Sequence, residues 1–167
     1  MQKISLHIVI VLSLGLGLSG CHKKKGSLYA GVDGDYVTGT PLGERFEGAN
    51  FFGTSVTRGQ FSPVMFAYDS FEVSGAEQPK VQQVAAAMKS SDKKVIVAGF
   101  TDDRGTEEYN RGLGERRALA VRQALIGAGI PADRVQTVSF GKEMPADSGS
   151  GESAWAKNRR AEFGVVK

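Results

Sequence analysis

Between Thr101 and Ala118 the chain reads TDDRGTEEYNRGLGERRA, which sets two adjacent carboxylates, Asp102 and Asp103, just before a run with helical character. Two carboxylates can split their pKa values and serve as general acid and base. Neighbouring side chains on a turn point apart, however, and no second acid follows at a suitable spacing, so hydrolysis is the weaker reading. The arginines are more informative. At about 100° per residue, Ala118, Val121, Leu125 and Ala128 make one apolar stripe. On that wheel Arg117 falls within about 40° of Val121 and Asn110 within about 20°, whereas Arg116 points away. A buried guanidinium left unpaired costs several kcal/mol, so Arg117 needs a carboxylate. Two partners are open: a ligand with both an ammonium and a carboxylate spanning from Asp102 to Arg117, or Asp102 itself, in a salt bridge that only braces the turn. The glycines of RGLG at 111–114 do not make a phosphate loop, since no Lys follows in that pattern and they lie within the expected helix.

The inventory of reactive side chains narrows the chemistry further. The only cysteine is Cys21 and the only histidines are His7 and His22, all ahead of the part expected to fold. A nucleophile paired with histidine, a histidine-ligated metal and a histidine general base are therefore excluded from the domain. The expectation is a binding domain with no catalytic residue, no metal and no cofactor. The formal charge of +3 falls by one if the segment containing Lys3 is removed. Acidic and basic residues are interleaved, which argues against nucleic acid.

The first 20 residues have one lysine and an apolar run from Ile4 to Leu18, broken only by Ser, Gly and His7, and read as a signal peptide. That run is shorter than the roughly 20 residues needed to span a bilayer. Leu18, Ser19, Gly20 and Cys21 resemble a bacterial lipobox, which implies cleavage before Cys21 and acylation of that residue. Several acyl chains at about 0.8 kcal/mol per buried methylene anchor a protein firmly. His22 stands where an inner-membrane retention aspartate would, and the resemblance then implies the outer membrane. Residues 21–60 are rich in glycine and read as a flexible tether, with a relaxed span on the order of 35 Å. Phe46, Phe51, Phe52 and Phe61 are unusual in a linker, and either pack back on the domain or meet a partner.

The elements that must position the turn follow over residues 61–167. Val64, Phe66 and Tyr68 alternate on a strand ending near Asp69. Pro79 suits a first helical turn, so a helix starts near Gln78 and closes at Ser90 and Ser91. Val95 to Ala98 is a continuous apolar run, as expected of a central strand covered on both faces. The second helix runs from Glu107 or Tyr109 to Ala128, ending at Gly127 or Gly129. Strands at Val135–Phe140 and Ala161–Val166 flank a polar insert with a short helix near Ser153 to Lys157. The fold class is α/β, in β-α-β-α-β-β order, with helices packed on a small mixed sheet. Glu152, Lys157, Asn158, Arg159 and Arg160 form a charged cluster before the last strand, read either as a solvated edge with one ion pair or as ligand contacts. Trp155, beside it, reads as half-buried packing.

The segments VMFAYDSF at 64–71, GFTDDRGTEEYN at 99–110, LGERRA at 113–118, SFGKEMP at 139–145 and AKNRRAEF at 156–163 resemble the OmpA-like peptidoglycan-binding domain family over nearly the whole domain. With lipobox and tether, the chain is similar to the lipid-anchored, peptidoglycan-associated branch of that family. The resemblance implies that Asp102 receives the ammonium and Arg117 the carboxylate of the diaminopimelate in a peptidoglycan stem peptide. Asn110, Leu113, Asp69 and Arg160 match positions that line or brace the same pocket. It also implies noncovalent tethering of outer membrane to wall, and a Tol-type envelope and division system with a TolB-like periplasmic propeller as partner. Two positions depart from the family pattern. Phe100 stands where histidine is usual and Ala67 where aspartate is, and the first implies loss of a polar contact near the pocket.

Overall fold

The computed structural model describes residues 50–167. The expected signal peptide, Cys21, Phe46 and the tether up to residue 49 lie outside the described residues. Five strands form one sheet: β1 (Val56–Arg58), β2 (Val64–Met65), β3 (Val95–Phe100), β4 (Val135–Gly141) and β5 (Arg160–Val166), with helices α1 (Gln78–Lys89), α2 (Glu107–Gly127) and α3 (Glu152–Asn158) between them. The order across the sheet is β1-β5-β3-β4, with β2 also paired to β5. β3 runs parallel to β4 and antiparallel to β5, so the sheet is mixed. All six residues of β3 are buried, as its unbroken apolar run requires.

Alternation along β3 assigns its two faces. Val95 and Val97 pack with Val81, Val84 and Met88 of α1 and with Ala118, Val121 and Leu125 of α2. Ile96, Ala98 and Phe100 point the other way and pack with Phe51 and Val56. α1 begins at Gln78 with Pro79 in its first turn, where a missing N–H is harmless. Glu77 does not cap it; its Oε2 instead accepts bonds of 2.7 Å from Met65 N and from Lys80 Nζ. α2 is capped by Thr106, whose hydroxyl accepts from Tyr109 N at 3.2 Å, and is closed by Gly129 at φ +93°.

The expected tether is overturned over its last stretch, to Gln60. Residues 56–58 are a strand paired with β5, and Phe51 is only 2% exposed, against the rings of Phe52, Phe100 and Phe140. Phe61 likewise packs edge-on against Phe163. The glycines suggested a linker, but the physical driver is the apolar surface that the segment and its end cover: Phe51 the otherwise bare outer face of β3 and β5, and Phe61 the helix-side core at Phe163. Phe51→Ala is therefore expected to lower stability by about 3–5 kcal/mol in urea denaturation, a loss that no linker residue would produce. The first expected strand is shorter than its alternation suggested. β2 stops at Met65, and Tyr68 is 62% exposed because the chain leaves the sheet before reaching it.

Candidate functional site

The C-terminal end of β3, the turn that follows it and the first half of α2 enclose a cleft of about 210 Å³, walled on its other side by the loop leaving β2. Asp102, Asn110, Leu113 and Arg117 line it, with Asp69 and Tyr68 on the β2 side and Arg104, Gly105 and Tyr109 at its mouth. The helix reaches the strand at backbone contact. A Cβ at Gly99 would lie 1.8 Å from the carbonyl oxygen of Gly114, so only glycine permits this approach. That contact brings Asn110, Leu113 and Arg117, on one face of α2, down to the level of Asp102.

Arg117 is fully buried. Its Nε donates to Ser70 O at 2.8 Å, its Nη1 to Phe100 O at 2.8 Å and its Nη2 to Ala67 O at 3.3 Å. These acceptors are neutral carbonyls, and among the described residues Arg117 forms no ion pair. The internal Asp102–Arg117 bridge left open by the sequence is thus not formed. Burial pushes the guanidinium down to about 10, partly offset by the attraction of Asp102. It remains charged at neutral pH, and its charge is not neutralised by direct contact.

Asp102 has found other cations. Its Oδ2 accepts from Arg104 Nη2 at 2.6 Å and from Arg159 Nη1 at 3.4 Å, while Oδ1 accepts from Arg104 N at 3.3 Å. Burial opposes its ionisation, but the bonds from Arg104, reinforced by Arg159, hold the carboxyl below the ordinary aspartate value of 3.8. A lowered folded-state pKa stabilises the fold above the unfolded value, and the contribution is lost as pH falls from there through the folded value. Asp102→Asn is therefore expected to lower the urea midpoint at neutral pH, and to lower it by less at an acidic pH below the ordinary aspartate value of 3.8. A gap of constant size at both pH values would contradict the ion pairing.

Asn110 is buried and donates from Nδ2 to Arg104 O at 2.8 Å and Thr106 O at 2.9 Å, so it pins the turn that carries Asp102. Asp69 adopts a left-handed conformation, φ 53°, which aspartate tolerates better than most residues. Its carboxylate accepts the Tyr109 hydroxyl, and that bond raises the Tyr109 pKa. Asp103 is exposed, whereas Asp102 is buried and its carboxylate is taken by Arg104 and Arg159 rather than by a second acid.

Arg160 does not enter this cleft. It lies on the outer face of β5, with its guanidinium 3.9 Å from the Phe100 ring centre and Nε 2.6 Å from Glu162 Oε1. Its neighbour Arg159 takes the inward place, bonded to Asp102, to Glu152 at 2.6 Å and to Phe66 O at 3.1 Å. Arg160 was named by the resemblance alone; alternation along β5 sends Ala161 and Phe163 to the helix side and Arg160, with Glu162, to the other. The charged cluster is accordingly less solvated than a surface edge: Asn158 is buried too, and holds the insert through Ala146 N, Asp147 N and Asp147 O.

The Phe100 departure also resolves differently from the expectation. Its ring stacks on Phe140 on the outer face, 5.4 Å away, and only its carbonyl serves the cleft, through Arg117. Ala67 likewise contributes its carbonyl. Sequence reasoning missed Arg104, Tyr68 and Tyr109 at the site. The signal for Arg104 was its position two residues after Asp102 on a turn, within reach of that carboxylate.

Comparison with known proteins agrees with this architecture. Residues 65–159 match the model of the OmpA family. The peptidoglycan-associated lipoprotein of Legionella pneumophila is 37% identical over 153 residues, covering 87% of this chain and 86% of that one. The protein of the same name from Pseudomonas aeruginosa is 42% identical over 98 residues, covering 59% of this chain, and the match spans 58% of its own length. Among solved structures, the peptidoglycan-associated lipoprotein from Burkholderia pseudomallei superposes with a TM-score of 0.60 at 42% identity, over 62% of this chain and 88% of that one. The C-terminal domain of Helicobacter pylori MotB shares the fold at 22% identity, with a TM-score of 0.59 over 64% of this chain and 84% of that one.

Proposed function

Since the chain belongs to the OmpA family, we propose that its cleft binds peptidoglycan noncovalently, by gripping the diaminopimelate of a stem peptide between Asp102 and Arg117. The observation that carries this reading is the fully buried Arg117, held by neutral carbonyls alone beside a cleft whose other end bears a carboxylate. A ligand carboxylate would neutralise the guanidinium, and the ligand's ammonium would meet Asp102. Leu113 supplies an apolar wall and Asn110 keeps the acidic turn in place. With Cys21 acylated, the same domain would tie the outer membrane to the wall from the periplasmic side. In this reading a TolB-like protein is a partner in an envelope system.

The pairing of Asp102 with Arg104 and Arg159, rather than with a second acid, favours binding over hydrolysis. The full chain, purified in detergent, is expected to sediment with isolated peptidoglycan and to release no soluble muropeptides. Release of such fragments would replace the binding reading with a hydrolytic one.

A further inference from the structure

Arg104 already sits on the carboxylate that the proposed ligand's ammonium needs. Its Nη2 is 2.6 Å from Asp102 Oδ2, and its guanidinium carbon lies 4.0 Å from the ring centre of Tyr68 and 4.1 Å from that of Trp155. A carboxylate and two aromatic faces together make a seat for a cation. Three separate segments build it: the loop after β2, the β3–α2 turn and α3. Arg104 fills the seat imperfectly. Its Nε is buried without an acceptor, and so is Trp155 Nε1, with no partner among the described residues. Buried donors without partners are costly, so this resting position is readily given up. The side chain is 31% exposed and is followed by Gly105 at φ +91°, so the guanidinium has a way out to solvent.

We infer that Arg104 is a built-in competitor, which occupies the ammonium subsite of the unliganded protein and must be displaced by a ligand's own cation. The inference rests on the zwitterion reading of the cleft. Two cations close together on one side of Asp102 repel each other, so the ligand's ammonium and Arg104 exclude one another there. Net affinity then reflects the difference between the two cations for one carboxylate. A ligand lacking the ammonium has no reason to displace Arg104. It would engage Arg117 and leave the Tyr68–Arg104–Trp155 stack intact.

The test uses the full chain in detergent and two synthetic tetrapeptides, one containing meso-diaminopimelate and the other the same residue with its side-chain amine acetylated. In calorimetry, Arg104→Ala and Arg104→Gln are expected to bind the free-amine peptide on the order of tenfold tighter than the parent, and the acetylated peptide unchanged. Trp155, the only tryptophan, reports displacement directly. Its emission should change as the parent is titrated with the free-amine peptide, with the calorimetric midpoint, and should stay constant with the acetylated peptide. If both Arg104 variants bind the free-amine peptide no tighter than a parent whose binding is abolished by Asp102→Ala, the competitor role is wrong and the clamp stands. If parent binding does not depend on Asp102 and Arg117, the clamp fails and this inference with it.

Discussion

Arg117→Ala is expected to abolish sedimentation of the protein with peptidoglycan and, in calorimetry with the diaminopimelate tetrapeptide, to cost about 2–5 kcal/mol, at least roughly thirtyfold in affinity. The expectation follows from burial. In the free protein the guanidinium spends three donors on neutral carbonyls and carries a charge that no contact neutralises. An arriving carboxylate therefore gains a strong partner in a poorly solvated place. The same geometry adds a consequence that the helical wheel did not reveal. Arg117 ties Ala67 and Ser70 of the β2 loop to Phe100 at the end of β3, so its truncation also removes a brace and is expected to cost about 2–4 kcal/mol of stability. Binding must then be measured where the variant is still folded, as judged by circular dichroism. Arg117→Lys separates the two roles, because it keeps the charge while losing the planar fork that reaches several acceptors. Asp102→Ala is the complementary test, since it removes the ammonium end without touching the three carbonyls. A folded Arg117→Ala protein that binds within roughly threefold of the parent would remove the guanidinium from the site.

The second large effect is on the scaffold. Gly99→Ala is expected to destabilise the domain by about 3 kcal/mol or more, at the upper end of what overpacking usually costs. The new methyl would sit 1.8 Å from Gly114 O and 2.7 Å from Gly114 C, both backbone atoms that can yield only if α2 moves. That movement would carry Asn110, Leu113 and Arg117 away from Asp102, so binding should weaken along with stability. Gly114→Ala provides the contrast. Its methyl meets mainly Ser139 Oγ, at 2.4 Å, which can rotate, with Gly99 O at 3.0 Å. Replacing glycine within a helix also returns up to about 1 kcal/mol. The two variants should therefore differ by about 2 kcal/mol or more in urea denaturation. A Gly99→Ala protein within about 1 kcal/mol of the parent would show that the strand and helix are not held at backbone contact.

Much of the molecule was legible because its signals are local. The start of α1 at Gln78 follows from the proline's missing N–H, the end of α2 from its glycines, and the burial of β3 from an unbroken apolar run. Placing Asp102 and Arg117 at one cleft needed only the helical period and the rule that ligands gather at the C-terminal ends of strands in α/β sheets. The misreadings share a cause. The segment around Phe51 looked like linker because its glycines are visible in sequence, while the bare sheet face that it covers is made of residues far along the chain. Arg160 was named over Arg159 by resemblance of sequence alone, whereas which arginine reaches Asp102 depends on how the end of α3 enters β5.

The sequence by itself thus determined the fold class, the order of helices and strands from β2 onward, and the residues that carry opposite charge at the proposed site. Composition and the period of apolar residues suffice for these, since each depends on the chain's immediate neighbours. Only the tertiary structure decided who partners whom: Asp102 with Arg104 and Arg159, Arg117 with three backbone carbonyls, and Phe100 with the outer face. The reason is that a buried charge takes whichever partner the packed backbone brings within about 3 Å, and that distance is set by contacts such as Gly99 against Gly114, fifteen residues apart in the chain.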